Sequence, residues 1–561
     1  MAYSKNQLLD IEITDMTNEG EGVGKVDGFT FFVKDTLIGD VANVRVTKVK
    51  KNYGYARLEK LISPSSFRVE PECALARKCG GCQIQEMDYS SQLKFKENKV
   101  KNNLIRLGGF SEELINEVFE PIIGMTGEDG VFRYRNKAQY PIGYSKDGEL
   151  IAGFYAGRTH SIISVDDCML GVSENAPILK AVLEWMKDNK ITAYDETLHT
   201  GVVRHVLIRK GFSSGEIMVC LVINADKLPC EEALIKALTS IGFEDSKIAS
   251  VSYSVNKADT NVIMGDNFHT VCGSDTIEDK IGDLKFKISP LSFYQINPVQ
   301  TYKLYSTALE FAALDGGEVV WDLYCGIGTI SLFLAQKAGH VYGVEVIPEA
   351  IEDAKDNARL NGLDNTTFFV GKAEEVLPDF CAHTNSYPAK HPKVIVVDPP
   401  RKGCDSACLE TMVNMVPERI VYVSCDSATL ARDLKYLTDN GFALKRVRPC
   451  DMFPMSIHVE TVVCLSKGDV KSKKIRVEFS LEDMDTDGFK KGATYNAIRD
   501  WIKAKYGYRV TNLNIAQVKQ KHGIIERENY NKPKSPDSKQ PGCPDEKVKA
   551  IEDAMRHFQM I

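Results

Sequence analysis

The chain has 561 residues, of which 43% are hydrophobic and 26% are charged. This composition is close to the globular average and excludes a mostly disordered chain. Its 70 Lys and Arg against 77 Asp and Glu give a net charge of −7, which excludes a nonspecific polycation. No apolar run approaches the ~20 residues that span a bilayer, and the N-terminus lacks the apolar core of a signal peptide. We therefore expect a cytoplasmic protein of several domains, whose 15 cysteines are core, ligand or catalytic residues rather than disulfides.

Residues 1–62 are predicted to form a small β-barrel, because short alternating runs are separated by glycine turns. The predicted strands are Leu8–Ile13, Thr30–Val33, Val41–Val49 and Tyr53–Leu61. The stretch from Arg45 to Lys60 is basic, with Tyr53 and Tyr55 interleaved and Glu59 as its one acid. Basic and aromatic residues on a small barrel suit RNA contact, although a solvated surface explains the same pattern.

Residues 63–285 form a predicted middle module that begins with a cysteine-rich segment and a lysine-rich helix, Ser90–Leu107. Strands and helices then alternate. The predicted helices are Ala176–Asn189 and Cys230–Ile241, and the predicted strands are Val202–Arg209, Glu216–Ile223 and Ile248–Val255.

Three cysteines, Cys73, Cys79 and Cys82, lie within ten residues, and two glycines between the last two permit a tight turn. A metal site needs a fourth ligand, for which Cys168 is the best candidate. Four cysteines can hold zinc, and three clustered cysteines with one distant cysteine also suit a 4Fe-4S cluster. The spacing leaves both metals open.

Residues 286–467 alternate strand and helix as in a parallel α/β sheet. The predicted strands are Val319–Leu323, His340–Val346, Thr366–Val370, Val394–Val397 and Arg419–Ser424, with a closing hairpin; the predicted helices are Thr329–Lys337, Pro348–Asn361, one near Ala373, Asp405–Met415 and Ser427–Asn440.

Three features at the strand ends of this domain predict a site for S-adenosylmethionine. Asp322–Thr329 is a small-residue turn after a buried strand, where a nucleoside can lie against the backbone. Glu345 ends the second strand and can accept hydrogen bonds from ribose hydroxyls, and Asp398-Pro-Pro follows the fourth strand. The complete GxGxxG fingerprint is absent, which disfavours NAD and FAD.

Cys425 and Glu460 are candidates for catalysis, because each lies at or near the end of a late strand. A thiolate that adds to carbon 6 of uracil makes carbon 5 nucleophilic toward a methyl group. A base must then remove the carbon-5 proton so that the thiol can leave. The alternatives are a small core residue for Cys425 and a surface charge for Glu460.

Phe132-Arg-Tyr-Arg-Asn-Lys137 mixes basic and aromatic residues, a combination that binds phosphates and stacks bases. Arg204, His205 and Arg209 add basic character to the same module. A target base must leave its stack to reach a thiol and a methyl donor.

Residues 468–561 differ from the rest of the chain. They contain a basic run at Lys471–Arg476, a helix–turn–helix-like stretch at Thr494–Lys521, a Pro/Lys/Ser linker at Asn531–Cys543 and a last helix, Asp545–Phe558. Gln517, Lys519, Gln520 and Lys521 are candidates to face nucleic acid. A protein-binding or purely structural appendage fits the same sequence.

Five motifs occur in the order found in the RNA uracil-5 methyltransferases, which the chain resembles over residues 1–467. They are Ser292-Phe-Tyr-Gln295-Ile-Asn-Pro298, Asp322-Leu-Tyr-Cys-Gly-Ile-Gly328, Asp398-Pro-Pro-Arg-Lys-Gly403, Ser424-Cys425-Asp-Ser-Ala-Thr-Leu-Ala-Arg-Asp433 and His458-Val-Glu460. The chain looks most like the 23S ribosomal RNA branch, which has a TRAM barrel and an iron–sulfur cluster. Ser427 departs from the proline of many relatives, which concerns the loop and not the thiol.

The resemblance implies a site and a function. Cys425 would be the nucleophile and Glu460 the base; Gln295, Tyr324, Glu345 and Asp398 would contact S-adenosylmethionine; and Cys73, Cys79, Cys82 and Cys168 would bind a 4Fe-4S cluster. The expected fold begins with an OB-like TRAM barrel (1–62) and an α+β central RNA-binding domain that carries the cluster (63–285). A Rossmann-like methyltransferase domain (286–467) and a helical extension (468–561) follow in the chain. The expected reaction is methylation of carbon 5 of a uridine in 23S ribosomal RNA, without a membrane or an obligate protein partner. Transfer RNA methylation and a noncatalytic RNA-binding assembly factor are the alternatives.

Overall fold

The computed structural model describes residues 3–126, 130–157, 159–265, 267–383, 391–468, 495–522, 543–558 and 560–561. The chain divides into two compact units, Met1–Val470 and Lys471–Ile561. Among the described residues, no helix is long and apolar enough to cross a membrane. The predicted basic run at Lys471–Arg476 and nearly all of the linker at Asn531–Cys543 lie outside the described residues.

The first unit begins with a closed five-stranded barrel in the order β1-β2-β3-β5-β4. Its strands are β1 (Leu8–Met16), β2 (Gly22–Val26), β3 (Phe29–Lys34), β4 (Val41–Val49) and β5 (Tyr53–Ser63). Alternate residues point inward, among them Ile13, Phe31 and Val44, which are buried in the barrel core. A side chain at Gly54 would meet the ring of Phe31 at 2.5 Å, so the core requires a glycine there. The four predicted strands are present; β2 is short and begins with glycine, and the alternation pattern did not reveal it.

Two helices follow the cysteine segment: α1 (Tyr89–Arg106) and α2 (Glu112–Val118). Asp88 caps α1 by accepting a hydrogen bond from the backbone amide of Ser91. Although α1 is rich in lysine, its buried face includes Lys96 together with Val100 and Leu104.

A seven-stranded sheet forms the centre of the middle module, in the order β12-β11-β10-β9-β6-β7-β8. Its elements in chain order are β6 (Lys137–Tyr144), β7 (Leu150–Tyr155), β8 (Ile162–Ser164), α3 (Asn175–Asp188), β9 (Val203–Lys210), β10 (Glu216–Ile223), α4 (Glu231–Thr239), β11 (Lys247–Val255) and β12 (Asn267–Gly273). Trp185 of α3 lies in the hydrophobic core against this sheet.

The last part of the first unit is a doubly wound sheet in the order β17-β16-β15-β18-β19-β21-β20. After the hairpin β13 (Ile277–Ile281) and β14 (Leu284–Ile288), its elements are α5 (Pro298–Ala312), β15 (Val319–Leu323), α6 (Thr329–Ala335), β16 (His340–Glu345), α7 (Pro348–Leu360), β17 (Thr366–Val370), α8 (Ala373–His383), β18 (Val394–Val397), α9 (Ser406–Met415), β19 (Arg419–Ser424), α10 (Ser427–Asp439), β20 (Phe442–Cys450) and β21 (Glu460–Lys467).

Strands β15 to β19 are parallel, whereas β20 and β21 form an antiparallel hairpin at one side. Helices cover both faces and bury two separate hydrophobic cores, one of which contains Trp321 of β15. Both faces of the central strands are therefore buried, which explains why these strands are rich in Val and Ile.

The described part of the second unit contains α11 (Tyr495–Tyr506), α12 (Asn512–Lys521) and α13 (Asp545–His557). The three helices share a hydrophobic core that includes Ile502 and Ile551, with Trp501 packed at its edge. Lys519, which the sequence offered as a nucleic-acid contact, is only 5% exposed, so α12 does not present it to a ligand.

Candidate functional site

Four predicted site residues stand at the carboxyl edge of the doubly wound sheet. Tyr324, Asp398 and Cys425 directly follow parallel strands, and Glu345 ends another. The carboxyl ends of parallel strands meet at one edge, where ligands of α/β proteins bind. Because β21 runs antiparallel, its first residue, Glu460, reaches this same edge.

Cys425 and Glu460 are brought side by side by the strand register. Ser424, the last residue of β19, is paired with Thr461 of β21. Cys425 follows Ser424 and Glu460 precedes Thr461, so both residues lie at the same end of this strand pair, next to its last paired residues. The pairing between β19 and β21 thus joins two residues that are far apart in sequence.

A cavity of about 770 Å³ lies at this edge, and we call it the edge cavity. All six residues predicted for catalysis and methyl-donor binding line it: Gln295, Tyr324, Glu345, Asp398, Cys425 and Glu460. This volume is within the range of small-molecule and cofactor sites.

The turn after β15 is held against the end of β16. Tyr324 adopts a left-handed backbone (φ 73°), which is uncommon for a residue other than glycine. Its amide and that of Cys325 both donate to the Val344 carbonyl at 3.0 Å. The Glu345 carboxylate accepts from the amides of Gly326 and Val346, at 3.3 and 2.7 Å. These bonds fix the carboxylate and leave lone pairs for further donors.

Gln295 joins the edge cavity to the middle sheet. The Asn136 side chain donates to the Gln295 carbonyl at 2.9 Å, and the Asn136 amide donates to the Ile296 carbonyl at 2.9 Å. The segment 295–296 is therefore positioned by the residue that precedes β6.

Burial makes the edge cavity unfavourable for negative charge. It raises the pKa of Asp398 to about 7, and burial together with Asp398 raises the pKa of Glu460 well above its usual value. Burial, Glu460 and Asp398 raise the pKa of the Cys425 thiol to about 12, while Arg401 opposes the shift. A cationic ligand in this cavity would favour the ionised form of all three groups.

One carboxyl oxygen of Glu460 has no hydrogen-bond partner among the described residues. Glu460 is 3% exposed, and this oxygen, Oε2, is buried. A buried carboxyl oxygen without a partner is costly unless a ligand supplies one.

Further residues line the edge cavity, and Arg135, Arg401 and Phe453 are among those that the sequence did not assign to it. Arg401 directly follows Asp398-Pro-Pro, and this position in the sequence could have indicated that it lines the cavity. Phe453 lies seven residues before Glu460 in a stretch without regular periodicity, so only the structure reveals its place.

A second cavity, of about 410 Å³, is lined by Cys73, Cys79, Cys82 and Cys168, and we call it the cysteine cavity. Burial and the other three thiols raise the pKa of Cys82 to about 12. The structure therefore brings the distant Cys168 to the clustered three. Within the described ranges, no three His, Cys, Asp or Glu side chains form a group that could hold a metal ion.

Two cationic side chains, Arg135 and Lys137, also line the cysteine cavity. Burial, together with Arg209 and Arg135, lowers the pKa of Lys137 to about 7. No carboxylate pairs with Lys137 in the part of the chain that the structure describes. Arg135 and Ile296 line both cavities and form a shared wall.

Several residues predicted to contact RNA have other roles. Arg133 forms an ion pair with Asp167 at 2.5 Å. Arg209 is 1% exposed and donates to the Ser289 and Ser292 carbonyls. Arg204 is also buried and donates to two backbone carbonyls. Arg204 and Arg209 are therefore buried within the fold, whereas Arg133 stays partly exposed in its ion pair.

The barrel retains an aromatic patch on its outer side. Phe32, Tyr53 and Tyr55 are half-buried and lie within 5.5 to 5.7 Å of one another, measured between ring centroids. Lys34 of β3 and Lys48 of β4 are exposed. Arg45 and Arg57 instead share Glu59, so the basic stretch is partly neutralised.

Comparison with known proteins is consistent with this geometry. Residues 255–468 match the family described as tRNA (uracil-5-)-methyltransferase, and residues 4–58 match the TRAM domain. An RNA methyltransferase of Halalkalibacterium halodurans is 48% identical over 462 residues, covering 82% of this chain and 97% of the relative. One of Clostridium tetani is 46% identical over 469 residues, covering 83% and 98%.

A solved structure resembles the chain over most of its length. The Pyrococcus abyssi tRNA (uracil-54, C5)-methyltransferase in complex with S-adenosyl-L-homocysteine is 27% identical, with a TM-score of 0.64. The match covers 81% of this chain and 99% of that structure. From the fold, the edge cavity and these matches together, the chain is an S-adenosylmethionine-dependent RNA methyltransferase and belongs to the RNA uracil-5 methyltransferase family with a TRAM domain.

Proposed function

We propose that this enzyme methylates carbon 5 of a specific uridine in 23S ribosomal RNA, with Cys425 as nucleophile and Glu460 as base. The observation that carries the proposal is the adjacency of these two residues in the edge cavity, with an unpartnered carboxyl oxygen on Glu460. A thiol and a carboxylate beside a methyl-donor site are what uracil-5 chemistry requires.

The reaction proceeds in three balanced steps. The Cys425 thiolate adds to carbon 6 of the uracil ring, and the electron pair of the 5,6 double bond moves into an enolate. Carbon 5 attacks the methyl carbon of S-adenosylmethionine, whose carbon–sulfur bond breaks to give S-adenosylhomocysteine. Glu460 removes the carbon-5 proton, the double bond re-forms, and the thiolate leaves.

The electrostatics of the site suit this order. Burial and the two carboxyl groups favour the protonated form of Cys425, because they raise its pKa to about 12. The positive sulfonium of the methyl donor would offset the charges of Asp398 and Glu460 and so favour the thiolate. Activation of the thiol is thereby linked to donor binding.

Gln295, Tyr324, Glu345 and Asp398 are the proposed contacts of S-adenosylmethionine. The turn at Tyr324 leaves the backbone open to a nucleoside, and the fixed Glu345 carboxylate suits the ribose hydroxyls. Asp398 and Gln295 line the part of the cavity that also contains Cys425 and Glu460.

We propose that Cys73, Cys79, Cys82 and Cys168 bind a 4Fe-4S cluster. Four thiols line one cavity together with Lys137, a buried cation without a carboxylate partner among the described residues, and four thiolates would supply the missing negative charge. Four thiolate ligands fit a 4Fe-4S cubane, and a four-cysteine zinc site is the chemical alternative. With all irons ligated by protein, the group would supply structural rigidity.

The proposed domains follow from these sites. Residues 1–62 are the RNA-binding TRAM domain, 63–285 the central RNA-binding domain with the cluster, and 286–467 the catalytic domain; 468–561 form a helical extension of unassigned role. We propose a cytoplasmic location, which suits an RNA substrate and 15 cysteines that are expected to stay reduced.

Transfer RNA is a second candidate substrate, because the solved relative acts on uracil 54 of a tRNA and matches 81% of this chain. The aromatic patch of the barrel suits either RNA, since stacking is tolerant of sequence. Mapping 5-methyluridine in both RNAs from a strain that lacks the gene separates the two. We expect one or more positions of 23S ribosomal RNA to lose the methyl group, and loss confined to tRNA would contradict the ribosomal assignment.

A Glu460→Gln variant tests the mechanism directly. Addition and methyl transfer should proceed while proton removal stops, so a covalent protein–RNA adduct should accumulate and resist denaturing gel electrophoresis. The double variant Glu460→Gln/Cys425→Ala is the control and should form no adduct. Full turnover by Glu460→Gln would show that Glu460 is not the base. If the unsubstituted protein transferred no methyl group to RNA, the result would favour a noncatalytic assembly factor.

A further inference from the structure

The loop from Asp451 to Val459 joins β20 to β21 and brings two residues to the edge cavity. Phe453 lines the cavity, and Glu460 begins β21 directly after the loop. The loop contains no strand or α-helix, so its shape depends on contacts made by its neighbours. Asp451, Met452 and Ile457 are nevertheless buried, which shows that the loop is packed within the fold.

The strongest contact on this loop comes from α1, 355 residues away in sequence. The Lys96 ammonium donates to Asp451 Oδ1 at 2.5 Å and to the Phe453 carbonyl at 2.9 Å. Neither side chain of this ion pair has any exposed surface. The Tyr89 hydroxyl donates to the other carboxylate oxygen of Asp451 at 2.9 Å, so both oxygens are satisfied.

Two more side chains of α1 bind the same loop. The Met455 amide donates to Gln92 Oε1 at 2.9 Å, and the Lys99 ammonium donates to the Ile457 carbonyl at 3.0 Å. Residues 92, 96 and 99 lie on one face of a helix, because they follow the helical spacing of three and four. One face of α1 therefore holds the loop at three successive points.

A fully buried ion pair adds little net stability, since desolvation offsets the attraction between its charges. Its other effect is to select one arrangement of the groups around it. Here those groups are the backbone of Phe453 and the start of the segment that ends at Glu460. General-base catalysis depends on such placement, because the base must lie within hydrogen-bond reach of the proton that it removes.

We infer that Lys96 is a positioning residue for the methylation reaction: its ion pair with Asp451 and its bond to the Phe453 carbonyl fix the loop that places Glu460 and Phe453 in the edge cavity. This inference rests on the proposed role of Glu460 as base. It also explains why the lysine-rich helix is not an RNA-binding surface along this face.

The test follows the covalent adduct in a single turnover with an RNA fragment and excess S-adenosylmethionine. In Lys96→Met, adduct formation should change little, because Cys425 stands on β19 and not on the loop. Resolution of the adduct should slow by roughly 10- to 100-fold, the loss expected when a base is displaced by about 1 Å.

Lys96→Met leaves Asp451 buried without its partner and can therefore impair folding. The double variant Lys96→Met/Asp451→Asn removes both charges and should regain thermal stability. Arg68→Met is a matched control, since Arg68 pairs with the buried Asp40 next to the barrel and does not touch the loop. It should lower stability without slowing adduct resolution.

The outcomes separate the inference from the proposed function. Slow resolution that persists in the stable double variant supports positioning by Lys96. A double variant that resolves the adduct at the normal rate, while Glu460→Gln still accumulates it, overturns the inference alone. Failure of Glu460→Gln to accumulate any adduct overturns the proposed function, and the role of Lys96 falls with it.

Discussion

The edge cavity and the cysteine cavity share a wall at Arg135 and Ile296, but they are built from different parts of the fold. Most residues of the edge cavity stand at strand ends of the doubly wound sheet, where acids and a thiol face one another. The cysteine cavity takes its thiols from loops and sets them beside cations. The first arrangement suits chemistry on a cationic donor, and the second suits a group that carries negative charge. Damage to the two cavities should therefore produce different defects.

The sharpest test of this difference is Cys425→Ala. Loss of the nucleophile should lower methylation by at least about 10⁴-fold, because no other group can activate the ring. Binding of S-adenosylmethionine, measured by calorimetry, should stay within about twofold of the original value. Cys272→Ala, which removes a half-buried thiol outside both cavities, is the control. Substantial turnover by Cys425→Ala would rule out the covalent mechanism.

The pH dependence of adduct formation tests the electrostatics of the edge cavity. Because the pKa of Cys425 is raised to about 12, its thiol is protonated near neutral pH and ionises progressively as the pH rises. The rate of adduct formation should therefore increase with pH, by about tenfold per pH unit from about pH 6 to pH 7. The slope should lessen above pH 7 as Asp398, whose pKa is about 7, becomes charged. A flat profile in rapid-quench experiments would mean that bound substrates already ionise the thiol.

The matching test of the cysteine cavity is Cys82→Ser. Anaerobically purified enzyme should contain about four irons, and the variant should lose them. The free energy of unfolding should fall by about 3 kcal/mol or more, since metal binding is coupled to folding. Donor binding should persist if the cavities are independent. Cys230→Ser, at an exposed thiol, should retain iron. One equivalent of zinc in protein never exposed to air would contradict the cluster.

The smallest effect is expected on the barrel. Replacing Tyr53 and Tyr55 by alanine removes two faces of the aromatic patch and should weaken RNA binding roughly tenfold, because stacking contributes about 1–3 kcal/mol per base. Tyr3→Ala is a control, since Tyr3 packs on the barrel against Phe29 and Phe31 instead. Unchanged RNA affinity in filter-binding assays would show that the patch does not contact the substrate.

The sequence predicted the doubly wound sheet well, because each strand there is a run of buried β-branched residues followed by a turn. Strand Val319–Leu323 and strand Arg419–Ser424 have the predicted bounds. The shared location of Tyr324, Glu345, Asp398 and Cys425 was predictable because the carboxyl ends of parallel strands meet at one edge, whereas Gln295 was named only from the family resemblance. The short strands β2 and β8 were missed, since three to five residues carry too little alternation, and the longer strands β6, β7 and β12 were not predicted either.

The locations of charged side chains were predicted less accurately than the positions of the strands. The arginines of β9 were interpreted as RNA contacts and α1 was predicted as a lysine-rich helix, yet Arg209 and Lys96 are buried and bind backbone or a carboxylate. Composition along a strand or helix does not tell which cations turn inward, because their partners, such as Asp451 and Ser289, come from distant segments. The sequence grouped Cys168 with the other three cysteines, because a metal site with three clustered thiols needs a fourth ligand, and all four line the cysteine cavity.

The chain contains only three tryptophans, and each reports on a different core. Trp185 lies against the middle sheet, Trp321 lies within the doubly wound sheet, and Trp501 packs at the edge of the C-terminal helices. Replacing any two by phenylalanine leaves a single intrinsic fluorophore. Three such proteins would resolve denaturation region by region, showing whether the chain melts as one cooperative body or in separate stages.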